Sequence, residues 1–406
     1  MPQAAALAVA NDPRVDFVEE DAEVFSSTSE SLAEINLNSS PPVYGRWSLD
    51  RLGATGRVWD GTTYWGNKTY AHQTDGSGVY IYLIDTGINR THSEFTNARV
   101  KDGVQFSDDP AGPNQPYAPC GIGATRYESG SNVPHGTGTA SIAGGSTVGV
   151  ASNAYLVPIK IFQCDGIAKL SWLCLGMDWI VGPSNPNRYD AFGNPTPGVV
   201  SISFYYDPAT WTVANTDTTE GAFGQATQDV IRGCPLGQAP CPTKRGLTVI
   251  ASANNQGEDG RACQQVPSKL SYNGMKDSSN TYYLYGYQEY RVISVGGTDE
   301  QDRIWKCSNF SGETCPDPGS NYGQCVDIYA PAHMIRAAAM RLPTPDSSYR
   351  EAGMSGTSFA APYVAGIAAR ILQSSPSLTP AQVWSQIQAK AQTVNGILIA
   401  HIGPTE

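Results

Sequence analysis

Residues 353–366 read GMSGTSFAAPYVAG, and how this stretch is understood decides how the rest of the chain is understood. It opens on small, flexible residues: Gly353, Ser355, Gly356, Thr357 and Ser358. It continues as FAAPYVAGIAARIL, apolar at most positions, which predicts a buried helix with Pro362 near its start. Proline is tolerated in a first turn, where the backbone N–H has no intrahelical partner. Gly356 permits a tight turn into the helix without a Cβ clash. Ser358 then sits at or beside a helix N-terminus, where N–H groups and the positive end of the macrodipole favour negative charge. A serine so placed can attack a carbonyl and have the resulting oxyanion held nearby. It can equally be an ordinary capping serine. Partners elsewhere in the chain decide between these readings.

The chain has 406 residues, 40% hydrophobic and 16% charged, with 42 glycines and 28 prolines. This is a loop-rich globular composition with ample material for a core. The net charge of −11 and the lack of a basic cluster argue against nucleic-acid binding. No run of 18 apolar residues is present, so no membrane span is expected. Nine cysteines occur without a C-x-x-C pair, and only five histidines accompany them, which argues against structural zinc. Cys234/Cys241 and Cys307/Cys315 each bracket a short loop suited to a local disulfide, and the chain is expected in an oxidising, extracellular compartment. MPQAAALAVA lacks the basic start of a signal peptide and reads as the interior of a longer precursor.

From Trp47 the pattern alternates between strand and helix. VYIYLID, YLVPIKIF, GVVSISFYY, LTVIASANN, YRVISVGGTD and VDIYAPA read as strands. HGTGTASIAGG, SWLCLGMDWIVG and the nucleophile segment read as helices, and TPAQVWSQIQAKAQ closes the chain as an amphipathic helix. Near-continuous apolar strands between helices imply an α/β three-layer sandwich with a mostly parallel central sheet. Active sites in such sheets lie beyond the carboxyl ends of the strands. Asp85 stands at one such end, before Thr86-Gly87, and His135 begins the small-residue helix. Taken singly, Asp85 fits a turn residue and His135 a structural histidine.

The order Asp85, His135, Ser358 is that of subtilisin, and no G-x-S-x-G elbow occurs. With G-T-S-x-A-x-P-x-V-A-G, GINRTHSEF, STVGVASNAYLVPIKIF, GMDWIV and YGQCVDIYAPA, the span from Trp47 to about Gln392 resembles a subtilase of the proteinase K-like branch. The resemblance implies a serine endopeptidase: Ser358 as nucleophile, His135 as general base and then acid, and Asp85 orienting the imidazole. It implies Asn254 as the oxyanion asparagine, with Asn255 the neighbouring alternative, and a structural role for His92. The substrate strands match Ser203-Phe204-Tyr205 and Ser252-Ala253, where the family usually carries S-L-G and A-G. Added bulk at Tyr205 and Ala253 leaves the pocket's size open. Gly138 replaces a second histidine of the family. Two disulfides follow by resemblance, Cys120–Cys164 and Cys263–Cys325, leaving Cys174 as a small buried hydrophobe.

Asp327, with backbone carbonyls around Tyr290 and Val292, matches a calcium site of the same branch; no cofactor is required for the chemistry. Residues 1–38, an acidic VDFVEEDAEVF strand followed by a Ser-rich linker, resemble the C-terminal part of an inhibitor-type propeptide, and residues 39–406 the peptidase domain. The expected partners are protein or peptide substrates and the chain's own propeptide, with neither nucleic acid nor membrane, and the expected state is a secreted monomer made as a zymogen. The alternative is a catalytically silent subtilase fold used for binding, which the altered pocket strand and Gly138 favour and the intact Asp85, His135, Ser358 and Asn254 oppose.

Overall fold

The computed structural model of the chain describes residues 9, 18–19, 21–26, 47–54, 73–96, 98–106, 135–163, 168–206, 212–213, 221–233, 245–271, 291–310, 317–338 and 350–403. In chain order the strands are β1 (Val18–Glu19), β2 (Phe25–Ser26), β3 (Tyr80–Asp85), β4 (Val104–Gln105), β5 (Tyr155–Lys160), β6 (Gly198–Ile202), β7 (Phe204–Tyr205), β8 (Thr212–Val213), β9 (Thr248–Ser252), β10 (Ile293–Thr298), β11 (Ile328–Pro331), β12 (Ile335–Ala338), β13 (Arg350–Met354), β14 (Gln392–Val394) and β15 (Ile397–Ile399). The helices are α1 (Trp47–Gly53), α2 (His135–Gly144), α3 (Leu170–Val181), α4 (Gly221–Arg232), α5 (Thr357–Ser374) and α6 (Pro380–Lys390).

Seven strands run parallel in the order β4, β5, β3, β6, β9, β10, β11. β15 extends this sheet in parallel, and β14 closes its edge antiparallel. The strands are apolar on both faces because helices cover both. Ile81 and Leu83 face one core with Ala140 and Ile142 of α2 and Val364 and Ala368 of α5. Tyr82 and Ile84 face the other, with Leu173 and Met177 of α3 and Phe223 and Val230 of α4. The result is the expected three-layer α/β sandwich. From β3 the chain builds outward first to β4 and β5, then on the opposite side to β6, β9 and β10. This reversal puts the switch point between β3 and β6, where open parallel sheets form their crevices.

Small residues bring α2 and α5 close together. A Cβ on Gly366 would lie 2.5 Å from Val150 Cβ and 2.8 Å from the Ala143 carbonyl oxygen. Pro362 is not in the first turn as expected. It is the sixth residue of α5, inside the helix, so the carbonyl of Ser358 four residues earlier receives no N–H from it.

The chain also does not end on a helix. After α6, Asn395 and Gly396, both at positive φ (52° and 80°), turn β14 back onto β15. Asn-Gly is the preferred pair for such two-residue hairpins. Helix α6 itself is fixed by a capping box between Thr379 and Gln382. Helix α4 was not anticipated, although Phe223, Ala226 and Val230 recur at helical spacing.

The N-terminal piece lies along the second core. β1 pairs antiparallel with β8, and β2 antiparallel with β7. Val24 is buried in this core, and its N–H donates to the Ala168 carbonyl oxygen. Asp21 accepts the Ser171 N–H and hydroxyl, both at 2.8 Å, at the first turn of α3. A carboxylate is favoured there by the open N–H groups and the helix dipole. No helix among the described residues is long and apolar enough to cross a membrane.

Cys263 and Cys325 form a disulfide with a Cα–Cα distance of 5.2 Å. Cys307 is also disulfide-bonded. Cys120, Cys164, Cys234, Cys241 and Cys315 lie outside the described residues. Cys174 is a half-buried thiol on α3, less enclosed than expected. Non-reducing peptide mapping should recover Cys263 joined to Cys325, with Cys174 as the thiol alkylated without reduction. Alkylation of Cys263 in the unreduced native protein would contradict this pairing.

Candidate active site

Asp85 is the last residue of β3 and is buried. Its Oδ1 accepts the Thr86 N–H at 2.7 Å, and its Oδ2 accepts the Thr139 hydroxyl at 3.1 Å. These bonds hold the carboxylate edge toward His135, the first residue of α2, whose Nδ1 lies 2.7 Å from Asp85 Oδ1. A carboxylate facing Nδ1 keeps the proton there and makes Nε2 the basic nitrogen. The approach of α2 to the β3 exit depends on Gly136. A Cβ there would meet the Gly87 carbonyl oxygen at 2.2 Å, and the Gly136 N–H donates to the Thr86 hydroxyl at 2.8 Å.

Ser358 is the second residue of α5 and is fully buried. Gly356 precedes the helix at φ 145°, a conformation that favours glycine. The phenyl ring of Phe359, next to Ser358, lies 6.1 Å from the His135 ring, centroid to centroid. The Ser358 hydroxyl donates to the Ser203 carbonyl oxygen at 3.1 Å. In return the Ser203 hydroxyl donates to the Ser358 carbonyl oxygen at 3.0 Å, the acceptor that Pro362 leaves without a helical donor. Ser203 links β6 to β7, so this reciprocal pair ties the end of the central sheet to the start of α5.

Asn254 and Asn255 follow β9. Asn254 is fully buried at φ 72°, and its Nδ2 donates to Gln265 Oε1 at 3.0 Å. Asn255 turns its amide oxygen toward α5, where it accepts the Thr357 N–H at 2.9 Å and hydroxyl at 2.8 Å. Its Nδ2 donates to Asp317 at 3.0 Å. Asn255 therefore presents an acceptor to the Thr357-Ser358 turn. Neither this role, nor those of Thr139, Gln265 and Asn321, was anticipated. The N-N pair after a strand was visible in the sequence, but which amide faces which neighbour depends on the positive φ at Asn254.

Of the expected pocket residues, Tyr205 is half-buried, whereas Phe204 packs edge-on to Phe162 in the second core, 5.7 Å between centroids. Ser252 is fully buried. Ala253 is buried in a small cluster with Ala262, Val326, Tyr329 and the Cys263–Cys325 bridge. Burial there pushes the Tyr329 phenol up to about 12, so it remains neutral. The side chains of Phe204 and Ala253 are therefore packed in the interior, while Tyr205 is partly exposed. The free edge of β7 is taken by the N-terminal piece, with Phe25 opposite Tyr205 and Ser26 opposite Phe204.

His92 accepts the Glu94 N–H through Nδ1 at 3.1 Å, a local structural bond. Asp327 is buried and its Oδ2 accepts the Ser294 N–H at 2.9 Å. Val292 is buried and bridges to Ser271, and Tyr290 lies outside the described residues. Among the described residues no group of three His, Cys, Asp or Glu is placed to hold a metal. Asp327 would supply one carboxylate of the six to eight oxygens that calcium takes, and the remaining donors of the expected site include the Tyr290 carbonyl, outside the described residues.

Several known proteins share this arrangement of sequence and fold. The chain is 27% identical over 383 residues to alkaline serine exoprotease A of Vibrio alginolyticus, covering 94% of this chain and 52% of that protein. It is 30% identical over 325 residues to an alkaline extracellular protease of Yarrowia lipolytica, covering 79% and 55% respectively. The chain thus spans about half the length of these curated relatives. The crystal structure of a cold adapted subtilisin-like serine proteinase superposes with a TM-score of 0.58 at 25% identity, covering 89% of this chain and 98% of that one. Residues 76–401 match the Subtilase family, enclosing Asp85, His135, Asn254 and Ser358, and the chain belongs to that family.

Proposed function

We propose that the chain is a serine endopeptidase that cleaves proteins through an acyl-enzyme and is made as a zymogen. The observation that carries this reading is the buried 2.7 Å contact between His135 Nδ1 and Asp85 Oδ1, beside the helix start that bears Ser358. In the reaction, rotation of the Ser358 side chain moves its hydroxyl from the Ser203 carbonyl to His135 Nε2. Oγ then attacks the substrate carbonyl carbon as Nε2 takes its proton, and Asp85 stabilises the imidazolium without accepting that proton. The Ser358 N–H and Asn254 Nδ2 hold the oxyanion. An amide nitrogen carries two hydrogens, so a bond to Gln265 and one to the oxyanion can coexist. Collapse expels the amine, which leaves with the proton from His135, and a water activated by His135 hydrolyses the acyl-enzyme.

The N-terminal piece supports the zymogen reading, because β2 adds to the edge of β7 as an extended peptide substrate would. The removable piece is read as residues 1–38, ahead of a peptidase domain over 39–406. The name "alkaline extracellular protease" of the Yarrowia relative and the Cys263–Cys325 bridge support secretion. The enzyme is read as a monomer acting on protein or peptide substrates and on its own propeptide.

Ser358→Ala should lower peptide hydrolysis by about a million-fold while the protein still folds. Retention of more than about a hundredth of the activity would reject Ser358 as nucleophile. Asn254→Ala should lower kcat by about a hundred- to a thousand-fold with KM nearly unchanged. If Asn255→Ala produced that loss and Asn254→Ala did not, the oxyanion donor would be Asn255.

The register of β2 on β7 also supports a first self-cleavage near the start of the linker. One step beyond Ser26 along this register reaches Ser203, the residue bonded to Ser358. The first cut is therefore expected within about two residues of Ser26, at the near end of the linker between Phe25 and Pro41. N-terminal sequencing of active enzyme should find a start between roughly Phe25 and Pro41, with the first cut captured early in processing, and Ser358→Ala should remain uncut. A mature enzyme beginning at Met1, or a Ser358→Ala chain trimmed equally well without added protease, would refute self-processing.

A further inference from the structure

We propose that Gln265 is a positioning residue for the reaction: it fixes which end of the Asn254 amide faces the reacting carbonyl. The proposal rests on the reading of Asn254 as the oxyanion donor. An asparagine amide turns about a broad, roughly two-fold torsion, so its nitrogen and oxygen can exchange places at little cost unless neighbours distinguish them. An exchange would turn lone pairs, instead of a donor, toward a developing negative charge.

Two neighbours distinguish the ends here. Gln265 Oε1, a pure acceptor, takes Asn254 Nδ2 at 3.0 Å, and the Ser252 hydroxyl donates to Asn254 Oδ1 at 3.4 Å. All three residues are fully buried, so water does not substitute freely for either partner.

Gln265 is itself held. Its backbone carbonyl accepts the Lys269 N–H at 2.8 Å and the Ser268 hydroxyl at 3.0 Å, and it follows the 3₁₀ turn Arg261–Gln264 that carries the disulfide cysteine Cys263. Asn321 joins the two groups. Its N–H donates to the Asn254 carbonyl at 2.8 Å, and its Nδ2 lies 3.3 Å from Gln265 Oε1. That nitrogen also reaches the Ala253 carbonyl at 2.8 Å and Gln256 Oε1 at 2.7 Å. The left-handed backbone at Asn254, φ 72°, sets where the side chain leaves the strand end, and Gln265 sets how its amide is turned. Gln265 need not touch the substrate to act in this way.

The test is a double-mutant cycle in the full, self-processed enzyme, with active concentration counted by titration. Gln265→Leu should lower kcat about tenfold and leave KM within about twofold. In the Asn254→Ala background the same substitution should change kcat by less than about twofold, because the group it orients is gone. Ser252→Ala is the milder variant should Gln265→Leu fail to fold; it should lower kcat about threefold, again only when Asn254 is present. A merely structural role would lower both backgrounds alike or lower only the active fraction. Equal losses in the two backgrounds, a rise in KM with kcat unchanged, or no loss at all would overturn the proposal. If Asn254→Ala itself cost nothing, the oxyanion reading would fall and this proposal with it. If Asn254→Ala showed its full loss while Gln265→Leu was additive, the proposal alone would fall.

Discussion

A missing hydrogen bond inside a buried helix organises the centre of this molecule. Pro362 cannot donate to the Ser358 carbonyl, yet that carbonyl lies where water does not reach freely, and a buried acceptor left without a donor costs about 1–3 kcal/mol. The Ser203 hydroxyl supplies the donor at 3.0 Å, and the Ser358 hydroxyl returns the bond to the Ser203 carbonyl at 3.1 Å. The end of β6 and the start of α5, 155 positions apart, are locked at Ser358 by this exchange. Asn255 adds a second lock through Thr357. Asp85 and His135 reach the same place from β3 and α2, because Gly136 lets the helix rest on the Gly87 carbonyl.

The site follows from where the sheet reverses direction. β3, β6 and β9 are parallel neighbours, and Asp85, Ser203 and Asn254 lie at or just beyond their carboxyl ends. Helices α2 and α5, rich in glycine and alanine, then approach closely enough to bring His135 and Phe359 together. Bulky packing between these two helices would have separated His135 from the turn that bears Ser358.

Much of this was legible in the residues. The run VYIYLID ends a buried strand on a carboxylate, HGTGTASIAG is too small and too apolar for a surface helix, and GTSFAAPYVAG marks a turn into a buried one. What could not be read depends on distant partners. The place of Pro362 is misjudged unless the first helical residue is known, and its consequence needs Ser203. Strand alternation and the nearby disulfide, which bury the side chains of Phe204 and Ala253, are likewise not visible in the local sequence. Two features were missed although their signals were present: the Asn395-Gly396 hairpin and the helical spacing of Phe223, Ala226 and Val230. Calcium binding at Asp327 rests on a short match, one residue of which, Tyr290, lies outside the described residues.

The N-terminal piece joins the two halves of this account. It caps α3 through Asp21, buries Val24 in the second core, and ends its described course on the edge of β7. On the proposed function, the same strand edge would serve the folded precursor and, once vacated, a substrate. On the proposed function, Ser358 becomes a nucleophile activated by His135 and Asp85. Labelling the processed enzyme with a fluorophosphonate, followed by peptide mapping, tests it most directly. One phosphonyl group per chain is expected, on Ser358, and it should be lost in His135→Ala. An unlabelled protein, or a label on any other residue, would contradict it.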